Sequence, residues 1–500
     1  MFGLFGGRKA PPKVDTDVVV PFRYFDDTPV WRSFILYSMF VFDDVLDVDR
    51  LHACLRELVE EPGWRKLGAR LRTNAKGELE YHIPARFTDE RPAVLFSHAH
   101  HSQSITDHPL ASQIPSASRR PAVVGDPNDF NDLMLRGEDA PKRLDDYLYS
   151  DLPQLALHVV SFNDATIITL NWPHTTFDAL GQRALLDAWV QKLNGLKAET
   201  PIEADIDPLS SFGTKPAESH KLADKRVFTP GLVQYALRNI ADFAWRKHEN
   251  RMVCVPASWL ANLRDQCLAE LANDAEGYDG TKEDWVSEGD VLCAWWTRVS
   301  ISHMNPDSTT MVNLNNAYSL RDPLKSDLLP SDRPYLSNAI GFINVLMPAN
   351  EILQKPLSHT AAYIRRCIKE YGTRDQMEAF GSMVRETSSK LPPFFGNPGM
   401  HMVTYSNWTK AKLYELDFSS AVVAGSASSG DPQKTRSGKP SYIQNCQFGF
   451  TLPNGFPIIG KDLDGNHWLS GFMTQGTWAK LDSLLEQEWK DSVDKSSSGP

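Results

Sequence analysis

Five hundred residues with a 41% hydrophobic share are enough for two packed domains, and a net charge of −11 with no offsetting basic stripe argues against broad nucleic-acid binding. The six cysteines (Cys54, Cys254, Cys267, Cys293, Cys367, Cys446) are scattered without a C-x-x-C pair, so they read as reduced core thiols and not as a disulfide framework or a metal site. No stretch approaches the ~18 apolar residues of a membrane span, and the apolar run within Met1–Ala10 is too short for a signal peptide. A soluble, cytoplasmic, monomeric protein is expected, in which the sequon at Asn407 is incidental.

In chain order, residues 1–20 read as a loose leader. Phe34 to Phe42 is a strongly apolar strand. Asp47 to Glu61 is an amphipathic helix with Leu51, Cys54, Leu55, Leu58 and Val59 on one face and Pro62-Gly63 as its stop. A hairpin follows, Leu67–Arg72 and Leu79–Ile83 around the turn Asn74–Gly77. From Pro84 to Lys142 the signals are mixed and loop-rich. The cluster His98-Ala-His-His101 has no acidic or cysteine partner at ligand spacing, so surface histidines are expected and no metal. Leu155 to Phe162 is a strand, and Ala165 to Leu170 is another.

That last strand leads into Asn171-Trp-Pro-His-Thr-Thr-Phe-Asp-Ala-Leu-Gly-Gln182, and Phe177 to Asn194 then has helical spacing with Gly195 as its stop. His174 therefore falls where a strand hands over to a helix, a place both rigid and able to open on a cleft. Asp178 lies four residues on, where a tight turn can fold it beneath the imidazole. An alcohol or amine attacking a thioester must shed a proton, and imidazole titrates near the working pH. His174 and Asp178 are thus the candidate catalytic residues, the second fixing geometry without touching substrate.

Residues 195–231 are rich in Pro, Ser, Ala and charge and read as a crossover linker, with a helix from Leu232 to His248 beyond. The second half offers a strand at Met252–Val255 and helices at Ser258–Leu271 and Asp290–His303. Strands at Thr310–Leu320 and Ile340–Met347 follow, then two helical runs in Ser358–Glu386. Strands at Met402–Ser406 and Tyr414–Phe418 and a closing helix at Trp478–Trp489 complete it. The division expected is a leader (1–20), a first domain (21–194), a linker and helix (195–250), a second domain (251–490) and a tail (491–500).

Several stretches of the second half complete a pattern: Asp290-Val-Leu-Cys-Ala-Trp295, Tyr318-Ser-Leu-Arg-Asp-Pro-Leu324, Tyr335-Leu-Ser-Asn-Ala339, Ser406-Asn-Trp408, and Leu416-Asp-Phe-Ser419. With His174…Asp178, and with Leu67-Gly-Ala-Arg-Leu-Arg72 followed by Gly77, they resemble in order the BAHD acyltransferases, which move an acyl group from coenzyme A to an alcohol or amine. The departures resemble the fungal secondary-metabolite branch, to which trichothecene-type acetyltransferases belong. Ala179 stands where the family has glycine after the motif aspartate, and Asp417-Phe-Ser-Ser-Ala421 stands for D-F-G-W-G.

The resemblance implies an α/β fold: two chloramphenicol-acetyltransferase-like domains, each a mixed sheet with flanking helices, around a tunnel. It implies an acyl-CoA-dependent O-acyltransferase acting on a small-molecule acceptor, with acyl-CoA as co-substrate and no bound cofactor. Arg321 becomes the ion-pair partner of Asp178, Asn338 a candidate donor lining the tunnel, and Asp417 a structural support. Lys434, Arg436 and Lys439, in the loop past Phe418, could meet the nucleotide phosphates, with a solvated loop as the alternative. N-acylation, a carrier-bound donor and a degenerate binding protein stay open. Pro173 in place of the first histidine of H-H-x-x-x-D-G lowers the carrier-protein reading.

Overall fold

The computed structural model describes residues 9–240, 245–273, 285–329, 331–423 and 436–497. Its strands are β1 (Val18–Pro21), β2 (Phe34–Phe42), β3 (Arg70–Thr73), β4 (Leu79–Ile83), β5 (Leu95–His100), β6 (Ala122–Gly125), β7 (Ala156–Ser161), β8 (Thr166–Pro173), β9 (His248–Val255), β10 (Met311–Ser319), β11 (Ile340–Pro348), β12 (His401–Asn407), β13 (Tyr442–Gly449), β14 (Gly455–Lys461) and β15 (His467–Thr474). They form a small sheet β1-β4-β3, a sheet β13-β2-β8-β7-β5 in the first half and a sheet β11-β10-β12-β14-β15-β9-β6 in the second. Both larger sheets mix parallel and antiparallel pairs, as the expected mixed α/β architecture requires.

The longer helices are α1 (Val48–Glu60), α2 (Ala179–Leu193), α3 (Thr229–Arg238), α4 (Ala257–Asn273), α5 (Glu288–Ser300), α6 (Leu357–Tyr371), α7 (Arg374–Arg385) and α8 (Thr477–Ser497). All nine side chains of β2 are buried, because the strand is internal in its sheet and covered on both faces. α1 starts where Asp47 accepts a hydrogen bond from the Arg50 amide, and it buries Leu51, Leu55, Leu58 and Val59.

Each half lends a strand to the other's sheet. β6 pairs antiparallel with β9, and β13 pairs antiparallel with β2 along its whole length. Between the halves, the stretch beyond α2 runs as an irregular strap tied by side chain to backbone. Arg385 donates to the Leu209 carbonyl at 3.0 Å, the Glu378 carboxylate accepts from the Gly213 amide at 2.8 Å, and Gln376 accepts from the Lys221 amide at 2.8 Å. These contacts satisfy backbone groups that no ladder reaches.

Three expectations need correcting. The helix expected over 232–248 starts earlier, as α3 from Thr229 to Arg238; 241–244 lie outside the described residues, and β9 already begins at His248. Tyr414–Phe418 is not a strand. Lys412 sits at φ +48° between two 3₁₀ turns, Thr409–Ala411 and Leu413–Glu415. The alternating apolar residues Tyr414, Leu416 and Phe418 all lie in the core, but turns bury them instead of a pleat. The loop-rich 84–142 stretch contains β5 and β6, and there the Ser161 hydroxyl lies 2.8 Å from His98 Nε2 and 3.1 Å from His100 Nδ1.

Gly449 closes β13 at φ +100°, and a Cβ there would meet the Ser33 carbonyl oxygen at 2.0 Å. Gly449→Ala is expected to destabilise the protein by about 2 kcal/mol or more. The readout is a lowered midpoint in denaturant melts; an unshifted midpoint would mean that β13 is not held this tightly against the start of β2.

Candidate active site

β8 runs antiparallel to β2 and ends with Pro173 opposite Ile35. The next residue supplies one more hydrogen bond, from the His174 amide to the Phe34 carbonyl at 3.0 Å, and the Thr176 amide then closes a turn on the Pro173 carbonyl at 2.9 Å. Asp178 keeps an extended backbone and caps α2, with Oδ1 accepting from the amides of Leu180 (3.1 Å) and Gly181 (2.9 Å). The strand-to-helix junction expected around His174 is thus formed, with the helix beginning one residue after the aspartate.

Oδ2 of Asp178 faces the second half of the chain. It accepts from Arg321 Nη1 at 2.8 Å and from the Ala339 amide at 2.9 Å. The guanidinium in turn donates through Nη2 to the carbonyls of Tyr335 and Ser337, both at 3.0 Å. Burial by itself would raise the Asp178 pKa. The Arg321 charge, its hydrogen bond and the two amides outweigh that and hold the carboxyl below its ordinary range. The carboxylate therefore spans the two halves without touching the imidazole.

Asn338 reaches the same loop from the other side. Its Nδ2 donates to the His174 carbonyl at 3.0 Å and to Asp26 Oδ1 at 2.9 Å. Both of its donor hydrogens are used within this network, so it is not a donor presented to a tunnel. It fixes the histidine from behind.

Behind that loop lies a cluster of buried charges that the sequence did not reveal: Arg23, Asp26 and Lys66, each at most 4% exposed. Lys66 Nζ donates to the Leu336 carbonyl and to Ser337 Oγ, both at 2.7 Å, and Arg23 Nη1 reaches the same hydroxyl at 2.8 Å. Burial, with the Arg23 charge beside it, pulls the Lys66 pKa down, and burial pushes that of Asp26 up. No sequence pattern marks these three, because isolated charges near a strand start or a hairpin read as solvated.

The His174 ring stacks on Trp31, centroids 4.4 Å apart, and lines a cavity of ≈ 870 Å³ between the halves. Burial lowers its pKa from the ordinary histidine range, with its own carbonyl, the Asp178 carboxylate and the Asn338 side chain opposing only in part. Nδ1 is buried without a partner on another residue. The ring is accordingly neutral at neutral pH and able to take a proton from a group in the cavity. Leu36, Trp172 and Gln182 contribute to the wall from the first half, and Tyr318, Tyr405 and Trp408 from the second. Such a volume and a mostly apolar lining suit a small-molecule site.

The remaining predicted residues lie elsewhere. Asp417 is exposed and accepts from the Ser419 amide at 2.9 Å, just ahead of the short turn Ser419–Ala421. That turn's Ala421 carbonyl receives the Asp47 amide at 2.8 Å, so the box secures the start of α1 and not the imidazole. Arg436 is half-exposed and pairs with Asp464 at 3.0 Å, and neither it nor Lys439 lines the cavity. Lys434 falls outside the described residues.

A family model described as the Transferase family matches residues 138–431. Among curated relatives, the transcriptional regulator calD of Penicillium decumbens is 40% identical over 98% of this chain and 99% of its own, and the acetyltransferase adrJ of Penicillium rubens is 36% identical over 97% and 99%. The crystal structure of F. sporotrichioides TRI101 complexed with coenzyme A and T-2 shares the fold at a TM-score of 0.67 and 16% identity, covering 94% of this chain and 98% of that one. With a model match over more than half its length and acetyltransferase relatives aligned nearly end to end, the chain belongs to the Transferase family, the acyltransferase enzymes of BAHD type.

Proposed function

We propose that this chain is an acyl-CoA-dependent O-acyltransferase that moves an acetyl or other short acyl group to a hydroxyl of a secondary metabolite. The observation that carries the reading is a neutral, part-buried imidazole at the wall of a cavity that both halves line. TRI101 complexed with coenzyme A, on the same fold, supports acyl-CoA as the co-substrate. A cytoplasmic monomer is part of the proposal: among the described residues no helix is long and apolar enough to cross a membrane.

With Nδ1 buried, Nε2 of His174 takes the acceptor's hydroxyl proton as the oxygen attacks the thioester carbonyl. The C–O bond forms, the tetrahedral intermediate collapses with loss of the C–S bond, and the imidazolium returns the proton to the departing thiolate. Products are ester and free coenzyme A, with no acyl-enzyme. Asp178 and Arg321 hold the turn that aims the ring, and Asn338 holds its carbonyl. An amine acceptor or a carrier-bound donor would use the same steps. A binding or regulatory role is the second reading, favoured by the relative named a transcriptional regulator. The net charge of −11 opposes contact with DNA, and the complete His174, Asp178 and Arg321 set opposes loss of catalysis.

His174→Ala should keep the fold and lose about 10²–10⁴-fold in acceptor-dependent thiol release from acetyl-CoA. Full turnover in that variant would remove the assignment, and wild type inert over broad donors and acceptors would favour the binding role. Because burial depresses the imidazole pKa, the acid limb of kcat/KM should lie below the 6.5 of a solvated histidine; a limb above it contradicts a desolvated base. Removing one partner, in Asp178→Asn or Arg321→Leu, should cost about 3–5 kcal/mol, and the double variant less than the sum, measured as a double-mutant cycle. The Asp178 pKa is depressed on folding, so its contribution is present above the unfolded-state value near ~3.9 and is lost as pH falls through the lower folded value. Asp178→Asn should therefore flatten the acid end of the stability curve.

A further inference from the structure

One polar side chain of the cavity has no part in the network just described. Gln182 lies on α2 one helical turn past Asp178, lines the cavity, and is 0% exposed. Neither its Nε2 nor its Oε1 has a protein hydrogen-bond partner. A buried carboxamide left so is destabilising relative to an apolar side chain of the same size, and natural proteins keep few of them. A group held there at that cost is suited to a ligand that supplies the missing partners.

Its neighbours say which ligand. The adjacent Arg183 donates to the Ala411 carbonyl at 2.9 Å, which seats this end of α2 on the turn that brings Trp408, Thr409 and Lys410 to the cavity wall. The cavity wall carries Arg264, Arg321, Arg365 and Lys410, of which Arg321 pairs with Asp178, Arg365 with Asp290 and Lys410 with Asp322. Between its phosphates and its thioester, coenzyme A carries two secondary amides and a hydroxyl on an otherwise aliphatic arm. A glutamine offers both a donor and an acceptor to match an amide, and Leu36, Leu180 and Ile340 are among the apolar residues of the same cavity wall.

We propose that Gln182 hydrogen-bonds a secondary amide in the pantetheine arm of the acyl donor and so sets how far the thioester reaches toward His174. This rests on the acyl-CoA reading above. In the test, wild type, Gln182→Leu and Gln182→Met are melted without ligand and then titrated calorimetrically with coenzyme A and with adenosine 3′,5′-bisphosphate, which lacks the arm. Both variants should melt at or above the wild-type temperature. They should bind coenzyme A about five-fold more weakly, the factor expected for one neutral hydrogen bond, and bind the bisphosphate unchanged. Coenzyme A affinity equal to wild type overturns the proposal alone and points to the acceptor as the partner of Gln182. A lowered melting temperature with both ligands weakened equally overturns it in favour of a packing role. Wild type that binds no coenzyme A sinks the donor reading and this proposal together.

Discussion

The Asp178 carboxylate accepts four hydrogen bonds, two from the first turn of α2 and two from the far half of the chain, the Ala339 amide and Arg321. A buried carboxylate is expensive to desolvate, and it is tolerated only where its lone pairs are filled and a counter-charge is close. Here two of the filling groups come from 143 and 161 residues along the chain, so the charge is at home only when both halves are docked. The start of α2, the path of the 335–339 loop and the seat of His174 then follow from a single site of saturation. Asn338, on that same loop, passes the constraint to the histidine's own carbonyl.

Much of this was legible in the sequence because it is local. A strand pattern running into Pro173 and a helical repeat closed by a glycine predict the junction to within a residue or two, whereas the capping role of Asp178 is visible only in the structure. Arg321 was reached through the order of motifs, and the 2.8 Å pair with Asp178 is what that order encodes. Lys66, Asp26 and Arg23 were not legible. Each is buried only because another distant charge or carbonyl meets it, and a single chain of letters does not state that meeting.

The strands tell the same story. Period-two alternation at Tyr414–Phe418 suggested a pleat, yet a left-handed Lys412 and consecutive tight turns bury those residues differently. β13 was overlooked for the opposite reason. Gln444 and Asn445 sit in its buried interior, where Gln444 donates to the Pro127 carbonyl at 3.0 Å and Asn445 accepts from Ser38. Polar residues satisfied across an interface erase the hydrophobic signal of the strand that carries them. Because β6 and β13 each cross to the other half's sheet, the two halves are joined by ladders as well as by ions, which the composition break after Asn194 does not suggest.

Polar groups are distributed unevenly about the imidazole. Behind the His174 loop, Arg23, Lys66, Asn338, Asp178 and Arg321 reach carbonyls, hydroxyls and carboxylates from both halves, a dense network that stiffens the turn. On the cavity side the wall is mostly apolar, and one of its buried polar groups, the Gln182 carboxamide, has no partner on another residue. Asp26 Oδ2 and Asn338 Oδ1 within the network behind the loop are likewise unpaired, so the support is dense without being saturated, whereas an unpaired carboxamide in an apolar wall is most useful when its partner arrives with substrate. This arrangement lets the ring stay neutral and aimed, because burial outweighs the pull of the Asp178 charge and Arg321 meets that charge.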